Sequence, residues 1–324
     1  MKTRRLGRTG YEVSEIGLGC WQLGGDFGPV GDDMANAILD HALAAGITFW
    51  DSADVYGGGL SESRIGAHAK GPGVKVATKV GRAGALFPNS YSKQGLRESL
   101  QGSAKRLGVQ TLDLAQLHCV PGEVLRDGAI FGWMDELREE GLMRHWGASV
   151  ETIAEGLLCL DQPGCATLQI IFNLLRQDAA EELLPRAAEK DVGIIVRLPL
   201  ASGLLTGKFS KDSVFDPSDH RNYNRDGAAF SVGETFAGIP FERGVELVQE
   251  LKGLAPEAMP LSQFALRWIL DHPQVSTVIA GVSKPEQIAD NVAASERRSL
   301  FPALMGQLGE WYRTEVKPEI RGGV

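Results

Sequence analysis

Four side chains stand out by type and by position: Asp51 closing Phe49-Trp50-Asp51, Tyr56 in the stretch that follows, Lys79 closing Ala77-Thr78-Lys79, and His118 closing Gln116-Leu117-His118. Each triplet ends an apolar, strand-like run. A phenol has an unperturbed pKa of about 10 and releases its proton reluctantly at neutral pH. A neighbouring ammonium stabilises the phenolate and eases that release, and a carboxylate keeps the ammonium charged and aimed. An imidazole facing them can hold a substrate oxygen. Such a set predicts proton donation to a carbonyl oxygen while hydride reaches its carbon. No side chain supplies hydride, so a nicotinamide cofactor is implied.

Taken singly, each residue has an ordinary reading. Asp51 can cap a turn, Lys79 can be a barrel-interior ion pair, Tyr56 a loop aromatic and His118 a satisfied core histidine. Together they ask for more, because burying Lys79 near the mouth of an apolar barrel costs several kcal/mol unless something uses or offsets it.

The elements that must position them alternate. Two short strands, 3–6 and 11–14, flank Gly7-Arg8-Thr9-Gly10 as a hairpin. Strand-like runs then fall at 16–21, 48–51, 75–80, 112–118, 143–148, 168–172, 193–198 and 277–280. Helical periodicity follows them at 33–45, 61–70, 92–107, 130–140, 151–160, 179–189 and 285–294, with further helices at 241–254 and 261–271. Eight βα units with no linker or change of composition predict one (β/α)8 barrel spanning residues 1–324. A doubly wound sheet is the runner-up, but Gly17-Leu18-Gly19-Cys20-Trp21-Gln22 lacks its G-x-G-x-x-G fingerprint. Gly203 to Phe209 is one residue short of a P-loop and has no Ser/Thr after Lys208. In a barrel, reactive side chains collect at the C-terminal strand ends, and neighbouring strands about 4.8 Å apart let Asp51, Lys79 and His118 converge. The connection from Lys208 to Pro240 is long enough to be a lid, and residues 209–240, with Phe215, Tyr223, Phe230 and Phe236, are expected over that face.

Composition narrows the partners. The 324 residues carry 41 acidic and 33 basic side chains, a formal charge of -8, with no Lys/Arg block to track a phosphate backbone, so nucleic acid is not expected. Cys20, Cys119, Cys159 and Cys165 form no C-x-x-C pair and fit a reducing compartment. The basic start Met1-Lys2-Thr3-Arg4-Arg5 runs into polar residues rather than an apolar h-region, and no apolar run approaches the roughly 20 residues that cross a bilayer. The expectation is a cytoplasmic protein without a membrane partner. The six histidines are scattered with no H-x-x-x-H, so no metal is expected.

At these residues the sequence strongly resembles the aldo-keto reductase family over nearly the whole chain. The resemblance rests on Arg5-Leu6-Gly7-Arg8-Thr9-Gly10, on Trp50-Asp51-Ser52-Ala53-Asp54-Val55-Tyr56-Gly57 with Ser61-Glu62, and on the settings of Lys79 and His118. It implies a catalytic tetrad of Asp51, Tyr56, Lys79 and His118 in a barrel that binds NADP(H), less often NAD(H), across its C-terminal face. Carried over by motif, Gly147-Ala148-Ser149 and Gln169 would hold the nicotinamide carboxamide with Asn173 in support. Leu198, Pro199, Leu200, Ser202, Gly203, Leu204 and Lys208 would line the pyrophosphate, and Gly281, Ser283, Lys284, Gln287 and Asn291 the adenosine end. Asp51 and Trp21 would also touch the cofactor. Two departures stand out. Arg197 occupies the place where the family often stacks an aromatic ring on the nicotinamide, and no arginine stands at Ser283 or Gln287 to grip a 2'-phosphate, only Lys284 nearby. NADP(H) follows from family frequency, with NAD(H) or dual use open.

Three functions compete. The first is an NAD(P)(H)-dependent reductase of aldehydes, ketones or sugars, with Tyr56 as proton donor. The second is a cofactor-binding regulatory module, since potassium-channel β subunits look like this fold; such a partner is expected to bring an extra N-terminal segment, and this chain opens at the hairpin. The third is a Schiff-base lyase using Lys79, which needs a neutral lysine where Asp51 favours a charged one. The substrate pocket is expected from Trp21, Phe27, Phe87, Val120 and Tyr223. Its aromatic wall suits small apolar carbonyls, while Asp219, His220, Arg221 and Asn224 suit sugar hydroxyls or a charged tail. The oligomeric state does not follow from the sequence.

Overall fold

The computed structural model describes residues 1–68, 71 and 73–324. Two strands, β1 (Thr3–Arg5) and β2 (Glu12–Ser14), pair antiparallel with Arg4 opposite Val13. Strand and helix then alternate through β3 (Ile16–Gly19), α1 (Asp32–Ala44), β4 (Phe49–Asp51), α2 (Leu60–Ala67), β5 (Lys75–Val80), α3 (Lys93–Leu107) and β6 (Leu112–His118). Helices α4 (Gly122–Asp127) and α5 (Ala129–Glu139) lead to β7 (Met143–Ser149), followed by α6 (Ile153–Leu160), β8 (Cys165–Ile171), α7 (Leu183–Glu189) and β9 (Gly193–Arg197). The long connection carries α8 (His220–Tyr223) before α9 (Phe241–Leu254), α10 (Leu261–Leu270), β10 (Val275–Gly281), α11 (Glu286–Glu296) and α12 (Pro302–Trp311). Strands β3 to β10 are all parallel, and β10 pairs with both β3 and β9, closing an eight-stranded barrel. The expected (β/α)8 barrel with its N-terminal hairpin is therefore the architecture found.

The differences have local causes. Strand β3 stops at Gly19, and Trp21 opens a 3-10 turn, Trp21–Gly24, that Gly25 closes at φ 95°. The helix expected over 179–189 is a 3-10 turn, Asp178–Ala180, followed by α7 from Leu183. Pro185 dictates that start, because a proline is tolerated only in the first helical turn, where its missing N–H is not needed. Helix α12 begins with Pro302 at its first position, a start signal the periodicity alone does not carry. The expected end of the second helix at 69–70 lies outside the described residues.

Alternation along the strands sorts side chains between two layers. Leu18, Trp50, Ala115, Leu117, Ile194 and Val196 face the helices in the main core. Phe49, Ala77, Leu114, Ile195 and Ile279 instead form a second cluster inside the barrel, and Leu6 and Val13 of the hairpin complete it. The hairpin thus stoppers the end of the barrel at which the strands begin. Arg4 fastens it there, pairing with Glu15 at 2.8 Å and donating to the carbonyl oxygens of Leu270 and Val275. Gly7 has to be glycine, because a Cβ there would lie 2.2 Å from the Gly193 nitrogen. The plug reading gives a direct expectation: Leu6→Ala lowers the unfolding free energy by about 3 kcal/mol in urea titration, as a cavity forms that the rigid barrel cannot collapse around. A loss below about 1 kcal/mol would show that the hairpin does not stopper the barrel.

Candidate active site

The strand period that fills the bottom of the barrel with apolar groups places polar ones above them. Asp51 lies two residues beyond Phe49, Lys79 two beyond Ala77, Gln116 two beyond Leu114 and Arg197 two beyond Ile195. All four are buried. Lys79 Nζ donates to Asp51 Oδ2 at 2.5 Å, to the Ser52 carbonyl at 2.8 Å and to the Tyr56 hydroxyl oxygen at 3.1 Å. Three acceptors match the three N–H bonds of an ammonium. The other Asp51 oxygen, Oδ1, accepts from Gln169 at 2.8 Å and Gln116 at 3.2 Å. Gln116 was not among the expected site residues, although its place two before His118 on the same strand pointed inward by period alone.

Tyr56 reaches the ammonium from a turn rather than a strand. Gly57, Gly58 and Gly59 all take positive φ, which bends the chain sharply after the tyrosine. Gly24 packs its backbone on that turn, and a Cβ on Gly24 would stand 2.7 Å from Gly57 N. This close approach brings Trp21 flat against Tyr56, with centroids 5.6 Å apart and 19° between planes, while His118 meets the phenol edge-on at 5.9 Å. The structure therefore brings Asp51, Tyr56, Lys79 and His118 together at the C-terminal strand ends.

The electrostatics of the set are sharply divided. Burial works against the charge on Lys79, but Asp51 and Tyr56 outweigh it and raise its pKa, so the amine is charged. Burial pushes Tyr56 up to about 12, and Asp51 adds to this, so the help from Lys79 is overcome. The expected easing of proton release is thus opposed in the free protein by desolvation. Burial, then Arg82, Lys79 and Arg197, hold His118 well below the usual imidazole range. His118 is neutral, and its Nδ1 is buried with no hydrogen-bond partner among the described residues.

These groups open into a cavity of about 480 Å³. Asp51, Tyr56, His118, Ser149 and Gln169 line one part of it, and Ser149 Oγ donates to Gln169 Oε1 at 3.3 Å. Trp21, Phe27 and Tyr223 form an aromatic wall with Phe230. Arg197, Leu198, Pro199, Leu200, Ser202, Gly203 and Lys208 border it, as do Gly281, Ser283, Gln287 and Asn291 near the start of α11. Ala201, Ser202 and Gly203 take positive φ in succession, and Asn173 Nδ2 holds the Leu198 carbonyl at 2.9 Å. Gly19, Gly203 and Gly281 leave stretches of the border without side chains.

Four expected residues, Leu204, Lys284, Phe87 and Val120, do not line the cavity itself. Leu204 is buried towards Gly244, where a Cβ would stand 2.7 Å from its Cδ1. Lys284 is exposed, with its backbone N–H bonded to Gln287 Oε1 at 3.1 Å. Phe87 is an exposed aromatic and Val120 is buried in the main core; neither lines the cavity. Arg197 has partners other than a ring to stack on: it donates to the Val150 carbonyl at 3.0 Å and faces Glu234 at 3.7 Å.

Glu234 and Arg82, both cavity-lining, went unnoticed in the sequence. Glu234 comes from the long connection and accepts from Arg82 Nη1 at 2.8 Å. Burial would raise its pKa, but Arg82 and Arg197 outweigh burial and bring it to about 2. Burial and the Glu234 carboxylate push neighbouring Glu151 up to about 7. Cys119, Glu151 and Glu234 place ligand-type atoms within 4.8 Å of one another, but the two arginines occupy this carboxylate pair.

Comparison with known proteins gives a consistent result. A sequence model of the Aldo/keto reductase family matches residues 15–310. The chain is 31% identical over 313 residues to a probable voltage-gated potassium channel subunit beta of Oryza sativa subsp. japonica, covering 91% of each. A glycerol dehydrogenase from Gluconobacter oxydans superposes with a TM-score of 0.79 at 25% identity, covering 100% of this chain and 98% of that one. The holo form of an aldo-keto reductase from Bacillus halodurans gives 0.76 at 26% identity, over 99% and 98%.

The buried pair also carries a stability expectation. Lys79→Met leaves Asp51 buried without its ion partner and should cost about 3 kcal/mol in urea unfolding. The double variant Asp51→Asn/Lys79→Met should recover part of that loss. Additive losses in the double variant would show that the two side chains are not energetically coupled.

Proposed function

The chain belongs to the aldo/keto reductase family, whose members are oxidoreductases acting on carbonyls, and on that premise we propose that it reversibly reduces an aldehyde, ketone or sugar carbonyl with Tyr56 as proton donor. The observation that carries this reading is the single ammonium shared by Asp51 and the Tyr56 hydroxyl beside a neutral His118. A nicotinamide dinucleotide, when bound, supplies the hydride. The continuous border from Tyr56 to Asn291, with its glycine gaps and the positive-φ run at 201–203, fits an extended dinucleotide.

The chain's own residues do the rest. His118, neutral, offers an N–H to the carbonyl oxygen and fixes its direction. Tyr56 gives its proton to that oxygen, and Lys79 stabilises the phenolate left behind. Asp51 keeps Lys79 charged, and Gln116 and Gln169 keep Asp51 in place. The charge on Lys79 also speaks against a Schiff-base nucleophile. Trp21, stacked on Tyr56, and Phe230 of the long connection line the cavity beside the reacting oxygen. We read NADP(H) as the cofactor on family frequency. NAD(H) is the alternative, because Lys284 offers only a point charge and Asp290 lines the same end of the cavity.

The channel-subunit relative favours a second reading, a dinucleotide-binding module with little turnover. A screen following NADPH and NADH absorbance against aldehydes, ketones, sugars and polyols separates the two: turnover supports the reductase, and dinucleotide binding without turnover supports the module. Tyr56→Phe keeps the ring and removes the donor, so reduction should fall roughly 10²-fold or more while Trp fluorescence quenching by the dinucleotide survives. Unchanged turnover would refute the role. With Tyr56 at about 12, the acid form needed for reduction is present throughout the range below that value. Reduction should therefore stay flat from about pH 7 to 10, while alcohol oxidation, which needs the phenolate, rises about tenfold per pH unit. A reductive rate that falls steeply across that range would assign the proton to another group.

A further inference from the structure

One side chain far along the sequence grips both ends of the loop that carries Glu234. Arg321 Nη1 pairs with Asp226 Oδ1 at 2.7 Å, and Nη2 donates to the Arg225 carbonyl at 3.2 Å. Its Nε donates to the Gly238 carbonyl at 3.0 Å, and its backbone N–H bonds the same oxygen at 3.1 Å. A Cβ on Gly238 would stand 2.6 Å from the Arg321 carbonyl oxygen, so the two backbones lie in contact. Residues 225–238 thus leave and return to a single guanidinium. From just before that span, Asn224 Oδ1 accepts from the N–H groups of Ala229 and Phe230, both at 2.9 Å, and its amide reaches Thr235. Asn224 shapes the loop, while Arg321 fastens it to the rest of the molecule. Two further contacts reinforce the fastening: Gly322 lies against Val232, and the Gly323 carbonyl accepts from Arg176.

The loop so held delivers two groups to the cavity. Glu234 sits between Arg82 and Arg197, and the Phe230 ring lies under Arg82 with the guanidinium carbon 5.5 Å from its centroid. If residues 225 and 238 part, both groups leave together, and Arg82 and Arg197 face each other without the carboxylate between them.

We infer that Arg321 is a positioning residue for the active site, clamping residues 225–238 so that Glu234 and Phe230 stand at the cavity. This rests on the cavity being the cofactor and carbonyl site, and the test keeps the two ideas separate. Hydrogen exchange on the protein without ligand reads the clamp alone: Arg321→Ala should speed exchange of the 225–238 amides by about tenfold or more while the barrel strands keep their protection. Arg321→Lys, one point charge in place of a fork, should give an intermediate effect and serves if the alanine variant fails to fold. Arg313→Ala removes an exposed arginine paired with Glu310 and should change nothing. In turnover, Arg321→Ala should raise KM for carbonyl several-fold with kcat within about twofold, and NADPH titrated against Trp fluorescence should bind several-fold more weakly. Unchanged exchange in 225–238, or acceleration spread evenly over the chain, overturns the clamp. Loop loosening without turnover in any variant, wild type included, leaves the clamp standing and removes the reductase reading.

Discussion

An ammonium without water is the constraint from which the rest of this molecule follows. Lys79 is 1% exposed, and an isolated charge at that depth would cost many kcal/mol or surrender its proton. It keeps the charge because three oxygens meet its three N–H bonds, and each comes from a different kind of structure: a strand end, a backbone carbonyl and a turn. The carboxylate among them is held in turn by two glutamine amides from across the barrel. Every strand that contributes must end at the right height, so closure of the barrel and assembly of the polar cluster are one geometric problem.

The same desolvation that makes the cluster demanding sets its chemistry. It raises Tyr56, lowers His118 and leaves Lys79 charged only because of its partners. In the proposed reaction, a phenol that holds its proton firmly until an oxygen acceptor arrives is suited to donating once, at the right moment. A histidine that stays neutral can point an N–H at that oxygen without adding a second positive charge beside the ammonium.

Much of this was legible in the sequence because it is local. Asp51, Lys79 and His118 each end an apolar run, and the alternation that makes Phe49 and Ala77 face inward makes Asp51 and Lys79 do so too. Gln116 obeys the same rule, two residues from Leu114 and from His118 on one strand. Arg82 and Glu234 were out of reach for a different reason: their pairing joins loops 152 residues apart, and neither loop has a period to reveal which side chains turn inward. Phe87 and Val120 show the opposite failure. Both follow strands whose ends were well located, yet past the last strand residue the two-residue period no longer fixes which way a side chain faces. Helix α12 carries its start signal in Pro302 rather than in an apolar period.

The hairpin under the barrel has a consequence for how this protein can change. Its apolar stopper fills the end of the barrel where the strands begin, while the loops of the rim leave from the other end, so a change in loop sequence does not touch the stopper. The rim can therefore accept new loop sequences, and with them new substrates, while the foundation goes on supplying the same margin against unfolding.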